Sequence, residues 1–414
     1  MFLRPYQLEG VDRLVEIVKS RKAAILADEP GLGKTIQVCE FINRTEPGFI
    51  LIVCPASLRL NWAHELATWV VNSSLHIDVV SYEQVVKNQL PENRYDLIVF
   101  DEAHYLKNPS AKRTKACLAL QGDARLFLTG TPVVNRPIEM FPVLKSCGLK
   151  LNRTEFGKRY CAGKLVVIRW RPKKYAWDFS GASHTEELAA SLRKHLMVRR
   201  TKAEVLNDLP RKIRQVIELA EGGLRESEAL KATVRRVFNS FTSAAEALPA
   251  VLNAAFEELS ELRLETARAK LPDVLSFAED LLEEEEKLVI FAYHREIIDT
   301  LANHFGSKAV KLYGGMTDAQ KDASVKAFQE GPARVFVGQV SAAGTGLTLT
   351  ASSTVLFAEL DWVPGNIIQC EDRCHRFGQK RSVRVFHLTV KGSIEARMVH
   401  ALVEKQKVIE AVTN

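Results

Sequence analysis

Short apolar runs rich in β-branched residues alternate with stretches of helical period through the first third of the chain. They read AAILA near residue 25, FILIVC near 51, HIDVV near 78, DLIVF near 98 and ARLFLTG near 127. Such alternation predicts a parallel sheet covered by helices, because parallel strands buried on both faces are apolar throughout and need crossover helices to join them. The same rhythm returns in KLVIFAY at 287–293, KAVKLY at 308–313, ARVFVG at 333–338, STVLFAEL at 353–360 and VRVFHL at 383–388. Two α/β lobes follow.

Between them, residues 150–270 lose the alternation. An irregular stretch rich in aromatic and basic residues comes first, and a long helical run follows. In that run Leu271, Val274, Leu275, Ala278, Leu281 and Leu282 form one apolar stripe at helical spacing. These helices are expected to protrude from the lobes or bridge them, and the acidic run Glu283–Glu286 to end a helix in solvent. The expected division is a first lobe over 1–215, with a basic and helical protrusion from about 135, and then 216–414, in which a helical protrusion precedes the second lobe from about 268.

A length of 414 residues suits two cores better than one, and 46% hydrophobic with 26% charged residues is ordinary for a globular protein. The net charge of +7 suits a polyanionic partner without requiring one. No apolar run reaches membrane-span length, and the opening MFLRPYQLEG lacks the form of a secretion signal. A cytoplasmic monomer is expected, and the compact chain points to a bacterial or viral setting. The seven cysteines contain no C-x-x-C pair, and Cys370, Cys374 and His375 fall short of a four-ligand zinc set, so buried packing is their expected role.

The candidate chemistry lies at three places. DEPGLGKT, residues 28–35, sits between a predicted strand and a predicted helix, the context of a phosphate loop. There Gly31 and Gly33 let the backbone wrap the phosphates, Lys34 reaches the β and γ phosphates, and Thr35 offers a hydroxyl to Mg²⁺. Asp28 stands where the strict pattern has its first glycine, so a glycine-rich helix-capping turn is the alternative. DEAH, Asp101 to His104, ends the strand DLIVF; Asp101 is the candidate Mg²⁺ carboxylate and Glu102 the candidate general base for the attacking water. In QCEDRCHRFGQ, residues 369–379, Arg373 and Arg376 are placed one helical turn apart, either as arginine fingers or as part of a solvated basic helix.

Together with LRPYQLEG, CPASLRLNWAHEL, LTGTPVVNRPIE, SAAGTGLTLT and DWVPGNIIQCEDRCHRFGQK, these elements resemble the Swi/Snf-type ATPases of helicase superfamily two over nearly the whole chain. FGKRYC, WDFSGAS, ELAASLRKHLMVRRTKAEVLNDLP and ETARAKLPDVL are similar to the annealing-helicase, or HARP-type, subgroup. The resemblance implies two RecA-like lobes that hydrolyse ATP in the cleft between them and track along double-stranded DNA, with branched or forked DNA a candidate substrate. It gives Gln7 to adenine, and Asp28, Gly31, Leu32, Gly33, Lys34, Thr35 and Gly346 to the nucleotide. It gives Thr35 and Asp101 to Mg²⁺, and Lys34, Glu102, Arg373 and Arg376 to catalysis. It also implies that Gly130, Thr131, Ser341 and Trp362 contact DNA or couple it to the ATP site, and that Gly344 approaches nucleotide or backbone.

A basic cluster from Lys158 to Lys174, which includes Lys173 and Lys174, and a second formed by Arg193, Lys194, Arg199, Arg200, Lys202, Arg211, Lys212 and Arg214 are candidate DNA phosphate contacts. A solvated basic loop is the alternative for the first. A strand-separating helicase, a non-hydrolysing DNA clamp and an RNA motor are the rival readings of the whole.

Overall fold

The computed structural model describes residues 3–90, 94–130, 132–133, 136–170, 173–206, 209–219, 249–343, 347–361, 363–391, 393 and 395–396, without the side chains of 57, 168–170, 173–174, 249–259, 262 and 364. Its strands are β1 (Ala23–Leu26), β2 (Phe49–Cys54), β3 (His76–Ser81), β4 (Arg94–Phe100), β5 (Gln121–Leu128), β6 (Lys164–Trp170), β7 (Lys173–Asp178), β8 (Met197–Val198), β9 (Lys212–Leu219), β10 (Leu288–Ala292), β11 (Ala309–Leu312), β12 (Val335–Gln339), β13 (Thr354–Phe357) and β14 (Val383–Val390).

The chain divides into two units. The first sheet runs β3-β2-β4-β5-β1-β8 and the second β11-β12-β10-β13-β14-β9. Every pairing in both is parallel. Each of the ten apolar runs read from the sequence supplies one of these strands. Residues 50–54 and 288–292 are buried without interruption, as strands covered on both faces must be. In the covering helix Arg295–Phe305, Ile297, Ile298 and Leu301 are buried against the second sheet, each contributing roughly 1.5–3 kcal/mol through its burial.

The region between the lobes departs from expectation in three ways. A β-hairpin, β6 with β7, occupies part of the stretch read as irregular. The helix Pro249–Glu284 carries the expected stripe, but from Ala267 onward it packs into the core of the second unit: Val274, Ala278 and Leu281 are buried there beside Leu288 and Ile290. Apolar burial holds that half against the sheet, so it does not protrude. Finally, β9 pairs with β14 over eight residues, so a boundary at 215 would cut a strand. The packing instead groups β9 and the hairpin segment 163–181 with the second unit, and the described residues up to 162 and from 182 to 206 with the first. Of the acidic run, Glu283, Glu284 and Glu286 are exposed, while Glu285 is tied to Arg381 and Arg384.

Among the described residues no helix is long and apolar enough to cross a membrane. All seven cysteines are free and buried, and among the described residues no cluster of three or more Cys, His, Asp or Glu side chains is placed to hold a metal.

Candidate functional site

In the first unit β4, β5 and β1 are neighbours, and the loops leaving their C-terminal ends carry the DEAH segment, Gly130 and the phosphate loop. Ligand sites of open parallel sheets form at this edge, where loops diverge from fixed strands. The loop turns through left-handed Gly31 (φ 92°) and Gly33 (φ 79°), and the helix Lys34–Thr45 starts immediately after. Its first amide groups form the positive end of a helix dipole.

Lys34 Nζ donates to the Asp28 carbonyl at 2.8 Å, which curls the side chain back over the loop. Thr35 is half-buried in the first turn, and Leu32 is buried. The Leu32 carbonyl accepts from Gln7 Nε2 at 3.1 Å and from the Tyr6 hydroxyl at 3.2 Å. Gln7 is therefore fastened to the phosphate loop, its own Oε1 accepting from the Arg4 amide. Asp28 departs from its expected place on the nucleotide: it is fully buried, and its carboxylate accepts from Arg200 and Gln37.

Asp101 is held rigidly. Trp62 Nε1 donates to Oδ2 at 2.8 Å and the Glu102 amide to Oδ1 at 2.9 Å, while the Tyr82 hydroxyl donates to the Asp101 carbonyl at 2.8 Å. Burial, and next the Glu102 carboxylate, push the Asp101 carboxyl up to about 6 against the opposing pull of Trp62 and Lys34. A carboxylate that is costly to charge in this way gains from a cation. Glu102 is a non-glycine residue in the left-handed region (φ 51°), a conformation that costs energy and concentrates at functional sites. Its Oε2 lies 3.2 Å from His104 Nδ1.

Gly130 lies against the phosphate loop. A Cβ there would lie 2.6 Å from Pro30 Cγ and 3.4 Å from Lys34 Nζ, so the strand end can approach the phosphate loop only as glycine. Gly130→Ala is expected to push the loop outward, raising KM for ATP while lowering stability by about 1–3 kcal/mol, the usual cost of overpacking. Steady-state kinetics beside thermal unfolding check this, and an unchanged KM would contradict it. Thr131 lies outside the described residues.

In the second unit the helix Pro364–Glu371 ends before either arginine, so Arg373 and Arg376 do not share a helical face as expected. They converge through the turn that follows: Arg373 Nη1 and Arg376 Nη1 both donate to the Leu347 carbonyl, at 3.3 and 2.7 Å. Burial, and then the like charge of Arg373, bring Arg376 down to about 10. Ser341 is exposed in the short helix Val340–Ala343, beyond the end of β12. Gly344, Gly346 and Trp362 lie outside the described residues.

Most of the second basic cluster has partners within the fold or is buried, while Lys194 and Arg211 are exposed. Arg199 Nη1 donates to the Ala27 carbonyl, Arg200 binds Asp28, and Lys202 is buried. Lys212 and Arg214 on β9 pair with Glu371, at 2.8 and 2.6 Å. In the first cluster Lys158, Arg159 and Lys164 are exposed, with Arg159 paired to Glu187. The side chains of Lys173 and Lys174 lie outside the described set.

Burial would raise the Glu371 carboxyl, but Lys212 and then Arg214 overcome it and bring the group down to about 2. His387, stacked on Phe357, is brought down to about 4, chiefly by burial. A depressed carboxylate stabilises the fold above its unfolded pKa, and that contribution fades as pH falls from about 4.5 toward 2. The depressed histidine adds a loss between about 6.5 and 4. A Glu371 shift of this size corresponds to about 3 kcal/mol. Denaturant midpoints at pH 7, 4 and 3 should therefore fall steeply for the wild type, with Glu371→Gln less stable at pH 7 and flatter below it. Parallel curves would contradict the assignment.

The profile of the SNF2-related domain matches residues 6–89 and 72–227, more than half of the chain, and that of the helicase conserved C-terminal domain matches residues 269–378. The Xenopus laevis SWI/SNF-related matrix-associated actin-dependent regulator of chromatin subfamily A-like protein 1 is 33% identical over 98% of this chain and 44% of its own length. The Mus musculus DNA annealing helicase and endonuclease ZRANB3 is 32% identical over 100% of this chain and 41% of its own. The chain thus spans less than half the length of either relative. The Sulfolobus solfataricus SWI2/SNF2 ATPase core in complex with dsDNA is similar at 25% identity with a TM-score of 0.46, covering 100% of this chain and 93% of that one, too loose an overlay to carry a functional reading. With the ordered motifs, the two parallel-sheet units and the profile that spans the whole first sheet, this chain belongs to the SNF2-related family of helicase-type ATP hydrolases.

Proposed function

We propose that the chain is an ATP-driven translocase on double-stranded DNA that also acts on branched or forked duplexes. The observation that carries the reading is the gathering of Lys34, Gly130, Asp101 and Glu102 at the C-terminal edge of three adjacent strands. Lys34 and the amide groups of the loop bind the phosphates, and Gln7 closes the loop from the adenine side. The site fits Mg²⁺: Thr35 and Asp101 are the residues that would hold it, and Asp101 is already fixed in orientation by Trp62. When bound, the ion neutralises charge on the β and γ phosphate oxygens. Glu102 takes the proton of the attacking water, and Arg373 and Arg376 stabilise the charge on the transferring phosphoryl group in the hydrolysing state.

The name of one relative, a DNA annealing helicase, supports the choice of DNA, and that of the other, a regulator of chromatin, agrees with it. The division into two units fits a motor whose grips alternate. The seven free cysteines and a duplex-DNA substrate suit a reducing compartment that holds DNA, bacterial cytoplasm or nucleus. Release of a third strand from a duplex track tests translocation, and a forked duplex with one labelled arm tests strand separation beside it. ATP-dependent third-strand release is expected. Its absence, with ATP hydrolysis intact, would reject the translocase.

A further inference from the structure

The phosphate loop is stitched along its length to a distant segment of the same unit. Strands β1 and β8 pair over only two residues, but the ladder continues past both ends. The Ile25 amide donates to the Leu196 carbonyl (2.9 Å), Ala27 to Val198 (2.7 Å) and Glu29 to Arg200 (3.1 Å). In return Arg199 Nη1 donates to the Ala27 carbonyl and the Lys202 amide to Glu29 Oε2, both at 2.7 Å.

Arg200 is the centre of this seam. Its backbone amide and Nε donate to Asp28 Oδ1 at 2.9 and 3.0 Å, and Nη2 reaches Asp28 Oδ2. Nη2 also donates to Gln37 Oε1 at 2.6 Å, and Nη1 to the Tyr6 carbonyl, with the guanidinium over the Tyr6 ring. Gln37 Nε2 completes the circuit by donating to Asp28 Oδ2 at 2.9 Å. A Cβ on Gly10 would collide with the Arg200 guanidinium, so the bare helix turn admits that group.

One side chain thus grips the loop's entry through Asp28, the helix leaving it through Gln37, and the helix that brings Gln7 to it through Tyr6. Desolvating such a pair offsets most of its attraction, so its net contribution to stability is small, whereas a fixed fork geometry fixes position. We propose that Arg200 is a positioning residue that sets the phosphate loop, through Asp28 and Gln37, in its nucleotide-binding conformation. The proposal rests on the reading of this loop as the ATP site.

The test is a double-mutant cycle of Arg200→Lys and Asp28→Asn in the full chain, read by KM and kcat for ATP and by the Kd of a fluorescent non-hydrolysable ATP analogue. Thermal unfolding without nucleotide is followed in parallel, and Lys34→Ala serves as control. Lysine keeps the charge without the fork, and asparagine keeps the shape without the charge. Each is expected to raise KM and Kd about tenfold, a factor that corresponds to one lost charge-assisted contact, with kcat at saturating ATP changed far less. The double variant should be no worse than the worse single one, because both remove the same contact.

Multiplicative effects would overturn the proposal, as would an unaltered KM and Kd in Asp28→Asn beside a defective Lys34→Ala. If Arg200→Lys fails to fold, the isosteric Asp28→Asn decides alone. Unaltered nucleotide affinity in Lys34→Ala would remove the ATP-site reading and this proposal with it.

Discussion

Replacing Arg373 and Arg376 together by alanine is expected to lower ATP turnover by about 10³ or more while leaving nucleotide affinity close to that of the wild type. The phosphoryl group gathers charge only as it transfers, so a guanidinium that meets it there acts on kcat and little on binding. The second unit brings both guanidiniums onto one carbonyl, that of Leu347, and the charge of Arg373 works with burial to make the Arg376 cation costly. An incoming anion relieves that cost. Single-turnover rates and analogue affinity, measured side by side, check the split. Lost affinity with unchanged turnover would place both arginines in ground-state binding.

Glu102→Gln is expected to bind Mg·ATP normally and to stall before hydrolysis, with turnover down by about 10² to 10⁴, the range for removal of a general base. Glutamine preserves size and hydrogen-bonding shape, so the strained backbone at this position has no new reason to move. Lys34→Ala should behave differently, losing phosphate contact and hence affinity. Near-normal turnover in Glu102→Gln would return the residue to a cap at a strand end.

The sheets were legible because their strands are buried on both faces, so FILIVC and LVIFA announce themselves without alternation. Strand β9 was not, since Lys212, Arg214 and Glu218 on an edge strand read as a polar run. The hairpin β6–β7 did leave a signal in LVVIRW and KKYAWD, two β-rich segments separated by Arg171 and Pro172. The catalytic candidates were readable because each lies within a short motif whose spacing is set by the backbone near it. Their supports were not: Trp62 meets Asp101 across 39 positions and Arg200 meets Asp28 across 172, distances at which no local pattern survives. Charge misled for the same reason. Arg199, Arg200, Lys202, Lys212 and Arg214 look in sequence like a surface for phosphates, yet their partners are carboxylates and carbonyls of the fold itself or they are buried in it.

The central claim is that ATP hydrolysis at the DEAH edge of the first unit is driven by duplex DNA. Phosphate release from the intact chain, without nucleic acid and with equal nucleotide concentrations of double-stranded DNA, single-stranded DNA and duplex RNA, tests it most directly. A slow basal rate with strong stimulation by double-stranded DNA above the other two is the predicted result. Equal rates with and without duplex DNA would contradict the account, and stronger stimulation by RNA would assign the motor to a different track.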